Sequence, residues 1–210
     1  MLKKSIGFVL PALSSGALLA GCGGSDQGRT DMPGMGSGSS SVSASASQGD
    51  HTQADVTFAQ QMVPHHQQAV EMAKLVPSHS TNQKVLELAS QIQQAQDPEI
   101  QKMTGWLQTW GAPAPTTGMN MPGMNMPGMD HGSMPGMMTS DDMTKLGQVK
   151  GAAFDRLWLQ MMIQHHQGAV EMAKTELQQG ASNEAKQLAQ QIIDTQQKEI
   201  ATMSQLLGQV

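Results

Sequence analysis

The chain repeats itself at an offset of 100 residues, and the repeat constrains its fold more than any other feature. DVTFAQQMVPHHQQAVEMAK (55–74) aligns without gaps to DRLWLQMMIQHHQGAVEMAK (155–174), with 12 of 20 positions identical. At the same offset LASQIQQAQDPEIQKM (88–103) aligns to LAQQIIDTQQKEIATM (188–203). One offset shared by two separated segments means that a two-segment unit was duplicated. Each segment carries the 3.6-residue period of a helix. In the first, Phe58, Met62, Ala69, Ala73 and Val76 share one face, while Gln67, Glu71 and Lys74 point away. In the second, Leu88, Ile92, Ala95, Met103 and Trp106 form the stripe. Turn signals lie at Val76–Thr81 and at Gln179–Ser182. The third helix is expected to start near Ser140-Asp141-Asp142, with Ser or Asp as cap and an interruption around Gly151. The expectation is an all-α protein: a four-helix bundle built from two duplicated hairpins, 54–110 and 140–210, joined by a linker over 111–139. About 130 helical residues can bury a sufficient core without disulfides.

The stripes are not purely apolar. His65 and His66 flank the centre of the first buried face, with Met62 one turn before His66 and Met72 two turns beyond His65. Met162, His165, His166 and Met172 repeat the pattern. Glu99 lies within the second stripe with Met103 one turn on, and Glu199 and Met203 match them. Burying such groups without partners costs roughly several kcal/mol each. A bland reading lets His and Glu satisfy one another while Met packs. Against it stands the duplication of the whole set. Imidazole with thioether suits copper, Cu(I) above all, because soft sulfur prefers a soft ion. Zinc favours Cys, His or carboxylate and leaves the methionines unexplained.

A turn near residue 79 would put Glu99 level with about residue 60, roughly 8 Å along the helix from the His pair. That makes it a partner near Met62 or an outer group rather than a neighbour of His65. Pro64 is expected to kink the first helix, and its counterpart is Gln164; Pro98 is matched by Lys198.

The segment MNMPGMNMPGMDHGSMPGMM (119–138) holds 8 of the 19 methionines and too much Pro and Gly for a helix. It reads as a disordered linker. Met-Pro-Gly-Met occurs four times, at 32–35, 121–124, 126–129 and 134–137. Flexible chain can gather thioethers from Met119, Met121, Met124, Met126, Met129, Met134 and Met137, with the imidazole of His131, around Cu(I) or Ag(I). Repeat slippage would explain the repetition but not why the unit carries Met, which oxidises when exposed.

The N-terminus reads as a targeting segment over 1–21. MLKK is followed by an apolar run too short to span a membrane. Leu19-Ala20-Gly21-Cys22 then resembles a bacterial lipobox, with Cys22, the only Cys, as lipid anchor. Residues 22–53 read as a Gly/Ser-rich tether. The formal charge is −5, and −7 without Lys3 and Lys4. An acidic chain with six aromatics and no Tyr offers no surface for nucleic acid.

The motif F-x3-M-x2-HH-x2-AVEMA, carried by Phe58, Met62, His65, His66 and 69–73, resembles the domain of unknown function 305 family. The stretch from Phe154 through Val170 is closer still to its pattern, and the resemblance extends over about 55–208. It implies a ferritin-like four-helix fold. Characterised relatives include a periplasmic copper-binding protein of copper tolerance. By that likeness a metal role passes to Met62, His65, His66, Met72 and Met103, and to Met162, His165, His166, Met172 and Met203. Ferritin chemistry is not implied, because the inward Glu-x-x-His pairs of di-iron bundles are missing.

The reading is a lipid-anchored envelope protein, facing the periplasm or outer surface. It would bind copper, as Cu(I) or with Ag(I) in its place, and buffer it or pass it to another copper-handling protein. It would have no enzymatic activity, since no nucleophile–base set is visible. Two alternatives stay open: a copper-dependent redox enzyme in the bundle, and a metal-independent envelope bundle that contacts a partner.

Overall fold

The structure, a computed structural model, describes residues 50–115 and 134–210. Cys22, Met119, Met121, Met124, Met126, Met129 and His131 lie outside the described residues. Among the described residues five helices follow in order: α1 Gln53–His79, α2 Gln83–Thr109, α3 Ser140–Gln148, α4 Ala152–Gln179 and α5 Asn183–Leu207. The four long ones form a bundle in which α1 packs on α2, α4 on α5, and α1 on α4. Among the described residues there is no strand, and no helix is long and apolar enough to cross a membrane.

Local chemistry sets the helix ends. Thr139 caps α3, its hydroxyl accepting from Asp142 N (3.1 Å) while the Asp142 carboxylate accepts from Thr139 N (3.2 Å). The cap is thus Thr139 rather than Ser140 or Asp141. Gly151, at φ +62°, separates α3 from α4, a backbone state that a side chain would strain, and its N–H donates to His79 O (2.7 Å). Asn82 caps α2 by accepting from Lys84 N (3.1 Å), and Ser182 caps α5 by accepting from Ala185 N (3.2 Å).

Asp55 ties the halves together. Its carboxylate accepts from Thr52 N (2.6 Å) and, across the bundle, from Ala181 N (3.0 Å) and Ser182 N (2.8 Å). These hydrogen bonds outweigh the opposing effect of burial and hold its pKa well below the usual carboxylate range.

The first hairpin turns later than its sequence suggests. Helix α1 runs through Pro64 and Pro77 to His79, and only Ser80–Asn82 connect it to α2. A proline near a helix end forfeits one hydrogen bond, and the turn that follows still closes through Ser80 N to Val76 O (2.8 Å).

The apolar core is divided. One cluster gathers Phe58, Met62 and Val63 from the start of α1 with Met103 and Leu107 from the end of α2. It adds Ala169 and Met172 from the end of α4 and Leu188 and Ile192 from α5. The other gathers Met72 and Val76 with Leu88 and Ile92, and Trp158, Leu159 and Met162 with Met203 and Leu206. Trp158 is fully buried, and its indole N–H donates to Met72 O (3.0 Å). Neither cluster includes residues 64–68 of α1, 93–99 of α2, 163–168 of α4 or 194–199 of α5 among its buried members. The molecule has a waist there, and the waist is polar.

Candidate metal centre

The waist is where the duplicated polar residues meet. His65, His66, His165 and His166 are all buried, with Gln96 and Gln196 buried beside them and Glu99 and Glu199 at the margin. Antiparallel α1 and α4 bring the two halves face to face, so that the His65 and His165 rings lie 3.8 Å apart between centroids. The His165 and His166 rings are 6.5 Å apart.

His66 Nε2 lies 2.8 Å from Glu99 Oε2, and His166 Nε2 lies 2.7 Å from Glu199 Oε2. Glu99 is therefore level with His66, not with residue 60. The late turn is the main cause: the connection Ser80–Asn82 centres on residue 81, two beyond residue 79, which moves the residue opposite Glu99 by four, and the two side chains span the remaining turn. His65 Nε2 lies 3.0 Å from the carbonyl oxygen of Pro135. A carbonyl can only accept, so Nε2 carries the proton of His65. With an ionised Glu99 and Glu199 the same holds for His66 and His166.

What remains unpartnered is informative. His65 Nδ1, His66 Nδ1, His166 Nδ1 and His165 Nε2 are buried with no hydrogen-bond partner. Gln96 Nε2 and Oε1 and Gln196 Oε1 are also without one. Native proteins leave few such groups. Burial, reinforced by the neighbouring imidazoles, pushes His65 down to about 3 and His165 well below its ordinary value. Both rings are thus neutral at neutral pH, and each has a nitrogen lone pair facing the protein interior.

The methionines are distributed differently from the repeat. Met62 and Met103 share one apolar cluster with Met172 of the other half, while Met72 shares the second with Met162 and Met203. The second cluster also holds Met138 and Met161, and the two clusters lie on either side of the waist. Among the described residues no three His, Cys, Asp or Glu side chains converge into a ready cage.

The end of the Met-rich segment does not hang free. Met134 and Met137 are half-buried, and Met138 packs into the core at 7% exposure. This departs from the expectation of a linker with no core to fill. Gln68 and Gln96 were the residues that periodicity missed. Gln96 recurs as Gln196 in the duplicate, four residues after Ile92 and three before Glu99, and that repeated polar residue in phase with the stripe was the available signal. The stripe position assigned to Ala95 is only half-buried, and Gln96 takes the interior place.

A family model described as "Domain of unknown function (DUF305)" matches residues 55–207. A comparison with curated proteins gives no match. Among solved structures, a DUF305 protein of Streptomyces coelicolor assigned as secreted is 37% identical over 74% of this chain and 93% of its own, with a TM-score of 0.64. A DUF305 fragment from Deinococcus radiodurans is 34% identical over 76% of this chain and 98% of its own, with a TM-score of 0.65. CopM in its Cu(II)-bound form is 30% identical over 74% of this chain and 96% of its own, with a TM-score of 0.60. CopM has also been solved with Cu(I) and with silver. The match covers most of the chain, including both hairpins and the whole polar waist, and the chain belongs to the DUF305 family.

Proposed function

We propose that this protein binds copper, as Cu(I) above all, with Ag(I) able to take its place, and that the polar waist holds the better-defined sites. The observation that carries the reading is the set of four buried imidazole nitrogens without partners, in a layer between two apolar clusters that both contain buried methionines. A stability-optimised core would not keep them. Neutral imidazole and thioether together form a soft, uncharged donor set that favours Cu(I) and Ag(I) over Zn(II). Outer partners support the assignment. A ligating histidine characteristically donates its other N–H to a carboxylate or carbonyl, as His66 does to Glu99, His166 to Glu199 and His65 to the Pro135 carbonyl. The likeness to CopM, solved with copper and with silver, points the same way.

Met62, His65, His66, Met72 and Met103, with Met162, His165, His166, Met172 and Met203, are the bundle's donors in this reading. Met119, Met121, Met124, Met126, Met129, His131, Met134 and Met137 collect ions more weakly. The protein works in the bacterial envelope, anchored through Cys22, where it sequesters the ion or passes it to another copper-handling protein. It carries out no catalysis.

The test is an anaerobic Cu(I) titration against a chromophoric competitor. It compares the intact protein, a variant lacking 118–133, and one with His65, His66, His165 and His166 changed to Ala, all checked for helicity. Loss of the tightest sites in the histidine variant, with only weaker sites lost on deletion, supports the reading. If the intact protein does not compete for Cu(I), the reading fails.

A further inference from the structure

Just beyond the histidine pairs the two halves of the repeat differ: Gln68 stands where the duplicate has Gly168. Both residues touch the same piece of chain, Met134–Met138. The Gln68 side chain grips the backbone of Met138 at both ends of its amide, Nε2 donating to Met138 O (2.8 Å) and Oε1 accepting from Met138 N (2.7 Å). At Gly168 the Pro135 carbonyl lies so close that any Cβ would overlap it. Gly136 is as tightly fitted: its φ is +77°, and a Cβ there would come within 2.6 Å of Gln164 O. Between these two fixings the Pro135 carbonyl reaches His65 Nε2. A seat that needs two glycines in contact and a side chain matched to both ends of a peptide unit is shaped for this segment.

We propose that Met134–Met138 is a positioning element of the histidine layer, and that Gln68 and Gly168 are the seat that holds it. The inference rests on the metal-binding reading above. Glu99 and Glu199 orient His66 and His166, and His65 has no carboxylate of its own. The strap supplies the missing acceptor from main chain. By holding the Nε2 proton it fixes the ring plane and presents Nδ1 as the ligating nitrogen. His165 has no such partner on its Nε2, so the duplicated sites are not equivalent. The strap also carries Met134 and Met137, both half-buried, on either side of the Pro135–Gly136 pair that lies against His65 and Gly168. An ion collected on that sequence is then already beside the buried donors.

The experiment uses the full chain with Gln68→Ala and Gly168→Ala, and Gly105→Ala as control, since a Cβ at Gly105 meets nothing. In the metal-free proteins, the ring N–H resonance of His65 and the exchange protection of the Met138 amide are followed by NMR. Affinity for Ag(I) alone is then measured by competition. The strap variants are expected to lose both NMR signatures while the α4 amides stay protected. Their tightest Ag(I) affinity is expected to fall by roughly 10- to 100-fold, the usual effect of removing an outer partner. The control should match the unaltered protein. Persistence of the ring N–H resonance in both strap variants overturns the proposal, as does unchanged or tighter Ag(I) binding once that signal is lost. Failure of the unaltered protein to bind Ag(I) instead counts against the metal-binding reading, and the metal-free NMR still reports whether the seat works.

Discussion

Gln96→Leu should make the metal-free protein more stable. The Gln96 side chain is 2% exposed, and neither its Nε2 nor its Oε1 has a hydrogen-bond partner. Desolvating an amide without compensation costs roughly 1–3 kcal/mol by protein mutational measures. Leu fills a similar volume, has no polar atom, and would extend the apolar stripe from Ile92 toward Met103. A net gain of about 2 kcal/mol corresponds to a rise in Tm of roughly 4–8 °C for a chain of this size. Gln196→Leu should gain less, because only its Oε1 is both fully buried and without a partner. The assay is thermal unfolding followed at 222 nm in the presence of a copper chelator, with urea titration to show that the m-value is unchanged. The same substitution should weaken ion binding by altering the layer, so Ag(I) should raise the Tm of the variant less than that of the unaltered protein. A metal-free Gln96→Leu protein that is destabilised by more than about 1 kcal/mol would refute the reasoning, since the amide must then be satisfied within the layer.

Three further outcomes follow from the same geometry. Glu99→Ala and Glu199→Ala strand His66 and His166 without an outer acceptor and should each weaken the tightest Ag(I) site by roughly 10-fold or more in a competition titration, with Glu99→Gln intermediate. Asp55→Ala removes the acceptor for Thr52, Ala181 and Ser182 N–H groups and should cost roughly 3 kcal/mol in urea unfolding. Because the folded pKa of Asp55 is depressed, that contribution is present above the ordinary Asp value of 3.8 and is lost as pH falls below it. Glu176 behaves oppositely. Burial, with the Asp55 carboxylate nearby, raises it to about 8 from 4.5, so the folded state holds a proton that the unfolded chain releases. Its contribution is complete below about pH 4.5 and declines by up to about 1.4 kcal/mol per pH unit until pH 8. Glu176→Gln should flatten stability over that window in pH-dependent urea titrations.

The polar waist explains why the molecule tolerates such costs. Each apolar cluster is anchored by large buried side chains, Leu107 and Ile192 in one and Trp158, Phe154 and Leu159 in the other. Fully burying each is worth about 1.5–3 kcal/mol. Two cores of this kind can hold a layer of unpartnered polar atoms between them.

The sequence by itself determined the helices, the duplication and the polar residues that interrupt the apolar faces. Those properties follow from a 3.6-residue period and from side-chain chemistry, and both are local. It also marked Gly151 as a break and Gln179–Ser182 as a turn, because Gly and Ser act on the adjacent backbone. Only the tertiary structure decided which residues stand at the same height. The position of Glu99 depends on where α1 stops, and small differences in the last turn around Pro77 are doubled across an antiparallel pair. Tertiary packing also paired Met172 with Met62 and Met103, since α1 and α4 run in opposite directions and bring the far ends of the two repeats together. The seat for Met134–Met138 was beyond the reach of pattern as well. Its specificity lies in backbone carbonyls and the missing Cβ of Gly168, which acquire meaning only when a distant segment arrives against them.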